Sequence, residues 1–494
     1  FYRRSSTYWT RWGVTAVPPS SIFFGHTKDV LQKSYPRALK FRDWGKKFSK
    51  TYGIKEGLDN TLVTSDIRIV HEVFVKQFDN FHSRKHVVLG PNLEKGTSVH
   101  LFQARGARWK RLLSLSAPSF SVGNLKKVKP IIEDSALNML RIMEERHGNG
   151  ATFSFHQFFC EYSMDSICRL VMGQESTQIF HNHRVVVVQS LFLRDFDSLI
   201  VHLLFAVPPL VPILRWAMET VGIISFKFYQ KLYAAINRNH YVHFGTQGRH
   251  PDEMMDSKDF IDFFLDFAVE KTGEEQVEFK NKHALNTNLS VDEVVAQAVV
   301  FLLAGFDTTS NSLAFTSWMI ASHPEIQRPC QEEIDEICNH ESISYDELGR
   351  LEYLEAVCKE TLRFYPLGTF ANSRQCMTDT EVCGMFIENG TNVQGNTYGL
   401  HFDESIWGED ADEFKPERWL DADRRVPAHA YLAFGIGPRI CIGMKLAMME
   451  EKIALAHILR KFDIVRDSAE GELRLHGSLT VTPVEVPVKI MKRK

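Results

Sequence analysis

The sequence predicts a mainly α-helical protein with a minor β region. Three observations lead to that class. Apolar residues recur at helical spacing through most of the chain, punctuated by Gly and Pro without a long linker. One segment, Val294 to Phe306, is apolar almost all the way round and continues in pattern to Ile320, which describes a helix buried on all sides. Strand-like runs are few and short: Thr61 to Val63, Thr391 to Val393, Leu479 to Val481 and Val484 to Ile490. Pro487 cannot donate to a ladder, so the last of these reads as an edge strand at best.

Composition narrows the function classes. The chain has 494 residues, enough to bury a large core without disulfides or structural metal. At roughly 150 residues per domain that length suggests three domains. Hydrophobic residues make up 44% and charged residues 24%, which excludes disordered, collagenous and coiled-coil proteins. The 58 basic residues nearly cancel the 61 acidic ones, so no nucleic-acid partner is expected. Phe is abundant, at 36 against 13 Tyr and 8 Trp, which suits a large apolar interior or pocket. None of the 8 cysteines forms a C-x-x-C pair, so zinc-ribbon and thioredoxin chemistry are excluded and buried thiols in a reducing compartment are expected.

The first residues, Phe1-Tyr2-Arg3-Arg4, read as the end of an apolar segment with a basic stop-transfer patch. Pro18-Pro19-Ser20 reads as a stiff hinge. Residues 1–17 are therefore expected to be the remnant behind a missing N-terminal membrane anchor. The stretch Leu199 to Leu214, broken by Pro208, Pro209 and Pro212, fits either a buried loop or a segment dipping into a bilayer face. Gly245 to Ser257 reads as a surface loop.

The long apolar helix has a legible start. Ser290-Val291-Asp292-Glu293 is a capping box, with Leu289 and Val294 as its hydrophobic staple, and Pro324 ends the pattern. In its middle stands Ala304-Gly305-Phe306-Asp307-Thr308-Thr309. A glycine, an ionisable Asp and a Thr able to bond the carbonyl of Ala304 all go against the rules of a buried helix. Such a cluster fits a functional site. It also fits a satisfied core Asp beside a helix-packing glycine.

The segment Phe434-Gly435-Ile436-Gly437-Pro438-Arg439-Ile440-Cys441-Ile442-Gly443 is followed by an apolar helix from Met444. It reads as a Gly-rich loop delivering one cysteine to a helix N-terminus, where the dipole and Arg439 would favour a thiolate. Gly437 and Gly443 would let backbone approach something flat and aim N–H groups at the sulfur. Phe434 can wall off water. A nucleophilic cysteine and an inert thiol fit the same description.

This stretch resembles the F-x-x-G-x-R-x-C-x-G haem-binding loop of the cytochrome P450 family. Ala304 to Thr309 resembles that family's A-G-x-D/E-T-T segment, Glu360-Thr361-Leu362-Arg363 its E-x-x-R helix, and Pro416-Glu417-Arg418-Trp419 its P-E-R-F meander. The four occur in family order. The cysteine loop and the Trp109 to Leu125 stretch are most similar to the microsomal clan that includes animal subfamily 3A.

The resemblance implies a P450 fold over residues 18–494 as one catalytic domain, with haem b (iron protoporphyrin IX) between the long helix and the Cys441 loop. It implies Cys441 as the thiolate on iron, with Arg439, Trp109 and Arg374 toward the propionates and Phe434, Gly437 and Gly443 shaping the loop. Ala304 and Gly305 would leave room for dioxygen, and Thr308 and Asp307 would relay protons. Glu360, Arg363 and Arg418 would form a buried supporting network. Leu113 departs from the family's W-x-x-x-R pattern, and Lys110 and Arg374 are the candidates to compensate. The implied reaction is monooxygenation of a lipophilic steroid, fatty acid or xenobiotic. Electrons would come from NADPH through NADPH–cytochrome P450 reductase, with cytochrome b5 as an optional donor, at the cytosolic face of the endoplasmic reticulum membrane. Lys110, Arg111, Lys126, Lys127 and Lys445 would form the docking patch. Val99 to Phe102, the Leu199 to Leu214 loop, Phe301, Leu367 to Phe370 and Leu479 would wall the substrate pocket. A haem-thiolate isomerase or dehydratase, and a non-catalytic haem sensor, are the alternative functions.

Overall fold

The computed structural model describes residues 8–86, 93–193, 196–207, 211–213, 289–421, 423, 426–467, 471 and 473–493. The predicted surface loop Gly245 to Ser257 lies outside these residues, as do Phe1 to Arg4.

Helices dominate, and the long one organises them. It runs Val291–Ser322, and its capping box is complete: Glu293 N–H donates to Ser290 Oγ at 3.2 Å, and Ser290 N–H donates to Glu293 Oε2 at 3.3 Å. It is the one helix among the described residues long and apolar enough to span a membrane. Yet 72% of its most apolar stretch is buried inside the protein, so it is a core helix. It packs along Phe155–Val171 and also against Glu352–Phe364 and Met444–Lys461. Gly305 permits the closest approach: a Cβ there would lie 2.8 Å from Ile167 Cδ1 of the neighbouring helix. Pro324 does end the helix, and serves as the first residue of the next, Pro324–Ile337, where its missing N–H costs nothing.

The β structure is small. A five-stranded sheet has the order Thr15–Ala16, Thr51–Glu56, Asp59–Thr64, Asn392–Gly395, Ser373–Gln375. Its last strand positions Arg374. The expected strand Leu479 to Val481 does not form. Instead a bend separates the short strands Leu475–His476 and Thr482–Pro483, which pair with each other. The strand at the C-terminus, Pro487–Lys492, is not an edge: it lies between Phe153–Ser154 and Phe462–Arg466. Pro487 is tolerated because it is the strand's first residue, and the neighbour it faces is only 2 residues long.

Leu199 to Leu214 is not a loop at its start. Leu199–Ala206 is a helix whose N-terminus is capped by Ser198, since all three prolines come after Val207. Positions 208–210 and 214 lie outside the described residues. Tyr8 and Trp9 are buried, and Trp9 Nε1 donates to Ile54 O at 2.9 Å.

Candidate functional site

The Cys441 loop is held by its backbone. Gly437 takes a positive φ of 69°, and a Cβ on it would sit 2.2 Å from Phe74 O, so no other residue fits there. Cys441 N–H donates to Phe434 O at 2.8 Å and closes the loop. The Phe434 ring packs in a cluster with Leu362, Leu367 and Val481. Gly443 N–H donates to the Cys441 sulfur. Cys441 has accessible surface, yet protein atoms enclose it deeply enough for burial to push its thiol up. That combination fits a sulfur lining an internal cavity. The long helix has a matching opening. Ala304 is exposed and Thr308 partly exposed, although Leu302, Phe306, Asp307 and Thr309 beside them are buried. Phe120 touches both walls: its ring meets Phe301 at 5.4 Å, and it lies beside Gly443.

On the long helix, Thr308 Oγ1 donates to Ala304 O at 2.6 Å. Asp307 is buried with its Oδ2 unpartnered, and desolvation raises its pKa to about 7. Gly305 turns toward Ile167, so its bareness serves helix packing.

Beside the loop, three arginines converge. Arg439 lies over the Trp109 ring at 4.4 Å and donates to His82 O at 2.8 Å. Arg374 lies over Phe74, and its Nε is buried without a partner. Arg84 lies over Phe102 and donates to Phe102 O and to Arg439 O. Among the described residues none of the three forms an ion pair. Desolvation, then mutual repulsion, lowers Arg439 to about 8 and Arg374 well below its usual value. Desolvation lowers Arg84 to about 10. The cation acting on the Cys441 sulfur is Arg84; Arg439, expected in that role, is turned to backbone carbonyls instead.

A buried network supports the loop from behind. Arg363 grips Glu360 bidentately at 2.8 and 2.9 Å, and Arg418 Nε donates to Glu360 Oε1 at 2.8 Å. Trp419 Nε1 and Lys415 N–H complete the carboxylate's shell. His401 links this network to the loop. Its Nδ1 lies 2.9 Å from Arg363 O, and Leu432 N–H donates to its Nε2, so the proton is on Nδ1.

The chain matches the Cytochrome P450 family over residues 16–489. The chain belongs to the cytochrome P450 family. Three Caenorhabditis elegans relatives agree along the full length. The cytochrome P450 named CYP13A10 is 41% identical over 497 residues, covering 99% of this chain and 95% of the relative. CYP13A1 is 41% identical over 496 residues, covering 98% and 95%. The one named cyp-13B1 is 37% identical over 502 residues, covering 100% and 97%.

P450 membership implies haem, and the residues fit it. An accessible thiol on a Gly-rich loop, a helix with Ala304 and Thr308 open on one side, and three cations with no anionic partner among the described residues suit a flat iron macrocycle with two carboxylates. Arg84 had no sequence signal, because its role depends on a fold that brings it to Arg374 and Arg439. Leu113, the departure from the family pattern, packs against the core. Lys110 is exposed and does not join the arginines; Arg374 does. Of the basic patch, Lys110, Lys127 and Lys445 are exposed and Lys126 pairs with Asp346. Arg111 pairs with Glu293 at the start of the long helix, which removes it from the patch. In the pocket wall, Phe102 and Phe370 meet at 5.6 Å, while Leu479 is exposed.

The three arginines yield an expectation. Arg84→Leu and Arg374→Leu each lower haem retention, on the order of 10–100-fold, measured by transfer to apomyoglobin. The same changes stabilise the apoprotein against urea, because they relieve repulsion among buried cations. Retention and apo-stability both equal to the parent protein's would refute it.

Proposed function

We propose that this P450 inserts one oxygen atom from O2 into a lipophilic steroid, fatty acid or xenobiotic. Electrons come from NADPH through NADPH–cytochrome P450 reductase, with cytochrome b5 as an optional donor. The observation that carries this reading is a cysteine loop whose Cys441 keeps accessible surface, beside three desolvated arginines that form no ion pair among the described residues.

Haem held there by a thiolate supplies the chemistry that favours O–O cleavage. The chain's own residues then have distinct tasks. Arg84, Arg374, Arg439 and Trp109 bind and orient the propionates. Gly443 N–H tempers the charge on the Cys441 sulfur. Phe434 and Phe120 exclude water from the sulfur's side. Asp307, with a pKa of about 7, is a proton donor and acceptor near neutrality. The Thr308 hydroxyl, one residue on, carries that proton to the cavity side. Val99, Phe102, Phe301, Leu367 and Phe370 give the substrate an apolar wall.

The exposed side chains of Lys110, Lys127 and Lys445 support docking of an acidic donor. Ile22 and Phe23, 78% and 61% exposed, lie near the Leu199–Ala206 helix through the ring contact of Phe24 with His202. That apolar corner supports attachment to the endoplasmic reticulum membrane, on its cytosolic face.

Turnover that requires both NADPH and O2 is the test. Product formed without them points to an isomerase or dehydratase. Within the reaction, Thr308→Ala lowers product per NADPH by about tenfold or more, with the electrons recovered as peroxide. An unchanged ratio of product to NADPH would refute the relay.

A further inference from the structure

Asp307 must regain a proton after each delivery, and the long helix buries it. Its carboxyl lies within reach of the Thr480 hydroxyl and the Asn311 amide, while its Oδ2 has no partner at hydrogen-bonding geometry. The polar row continues outward. Thr480 Oγ1 lies 3.5 Å from Thr482 Oγ1, and Asn311 Nδ2 donates to Thr482 Oγ1 at 3.2 Å. Thr482 stands opposite His476 in the short antiparallel hairpin, and His476 is half-buried, so it reaches solvent. Asp307, Asn311, Thr480 and Thr482 are each no more than 4% exposed.

Valine would fill the two threonine positions without hydroxyls to satisfy. A buried row of hydroxyls ending on an unpaired carboxyl therefore breaks a packing rule at a cost, which marks function over mere filling. Among the described residues no cation pairs with Asp307; the other titratable groups beside it are the buried Cys160 thiol and, through Asn311, the buried His156 ring, so the threonine row is the path that ends at a half-buried group.

We propose that His476, Thr482 and Thr480 form a proton inlet that reloads Asp307 from solvent at the C-terminal hairpin. This rests on the reading of Asp307 as a proton donor. His476 takes a proton from water on one ring nitrogen and releases the one on the other, with a water spanning the gap to Thr482. Each threonine hydroxyl accepts a proton on a lone pair and passes on its own. The Asp307 carboxylate takes the last one. One proton moves from solvent to Asp307, and only O–H and N–H bonds form or break. Burial lowers the His476 pKa, which keeps its ring neutral and ready to accept, and holds Asp307 near 7, which lets it reload at neutral pH.

The test is infrared spectroscopy of the holoenzyme without turnover. The C=O stretch of protonated Asp307, assigned by its loss in Asp307→Asn, shifts when the protein is transferred to D2O. Thr482→Val and Thr480→Val slow that shift on the order of tenfold, His476→Phe slows it too, and Thr482→Ser restores it. Exchange as fast in the valine variants as in the parent overturns the inlet, since the proton then arrives from the cavity side. Absence of a protonated Asp307 band overturns it as well. Product per NADPH measured on Asp307→Asn separates the two ideas: no change there defeats the donor role of Asp307, whatever the exchange rates of the threonine variants.

Discussion

Cys441→Ser leaves a folded protein that has lost its thiolate and its monooxygenase activity. The position tolerates the change sterically, because the side chain faces the cavity and serine is no larger. Gly443 N–H still finds an acceptor. What goes is the soft anionic donor, which a hydroxyl at neutral pH does not replace. The protein works against a free thiolate here, since burial pushes the thiol up more than Gly443 and Arg84 lower it. With a metal cation held at its sulfur, the Cys441 thiol would be deprotonated outright. Iron retention should therefore fall by more than the roughly 10–100-fold that losing an outer-shell partner costs. The reduced, CO-bound absorption band should leave the thiolate position. A band unmoved in Cys441→Ser would assign ligation elsewhere and remove the basis of the site.

Glu360→Gln destabilises the protein by about 3–5 kcal/mol, measured as a lower urea midpoint at unchanged slope. The Glu360, Arg363 and Arg418 side chains are fully buried; Glu360 pairs with both guanidiniums, and Arg418 has a second carboxylate, Asp410, at 3.4 Å. Glutamine keeps the shape but withdraws the charge, which strips Arg363 of its carboxylate in a dry interior and leaves Arg418 only the longer pair to Asp410. Its amide also presents a donor toward Arg363 or Arg418, where only an acceptor fits. Against a typical total of 5–15 kcal/mol the loss is severe. It reaches the Cys441 loop through a short path: Arg363 O to His401, and His401 to the backbone of Leu432, two residues before Phe434. Reduced haem content should accompany reduced stability. A variant with the parent's urea midpoint would show that the network is ornamental.

These expectations differ in how early they were legible. Cys441, Glu360 and Arg363 announce themselves locally. A glycine-flanked cysteine before a helix, and two opposite charges three residues apart on one helix face, are patterns within a few positions of chain. The capped long helix was equally visible, down to the hydrogen bonds of Ser290 and Glu293. Arg84, His401 and Thr480 carry no such local signal. Each acts on a residue far off in sequence, and Arg84 meets Arg439 across 355 positions.

Other local readings meet different neighbours in the fold from those expected. Arg439 faces carbonyls and Trp109, while Arg84 acts on the Cys441 sulfur. Arg111 is basic, but Glu293 engages it. Pro487 was expected to hold its strand at an edge, yet the strand is central because the proline falls at its first residue.

The sequence by itself determined the helical class, the buried helix with its polar interruption, the cysteine loop and the charge pair behind it. All of these follow from periodicity, caps and residue chemistry within a few turns of chain. The tertiary structure alone decided which cations gather with no anionic partner among the described residues, which way Gly305 and Arg439 face, and how Asp307 neighbours the hairpin. Those outcomes depend on which distant segments pack together. Unpaired charge and buried hydroxyls acquire meaning only once their neighbours are known.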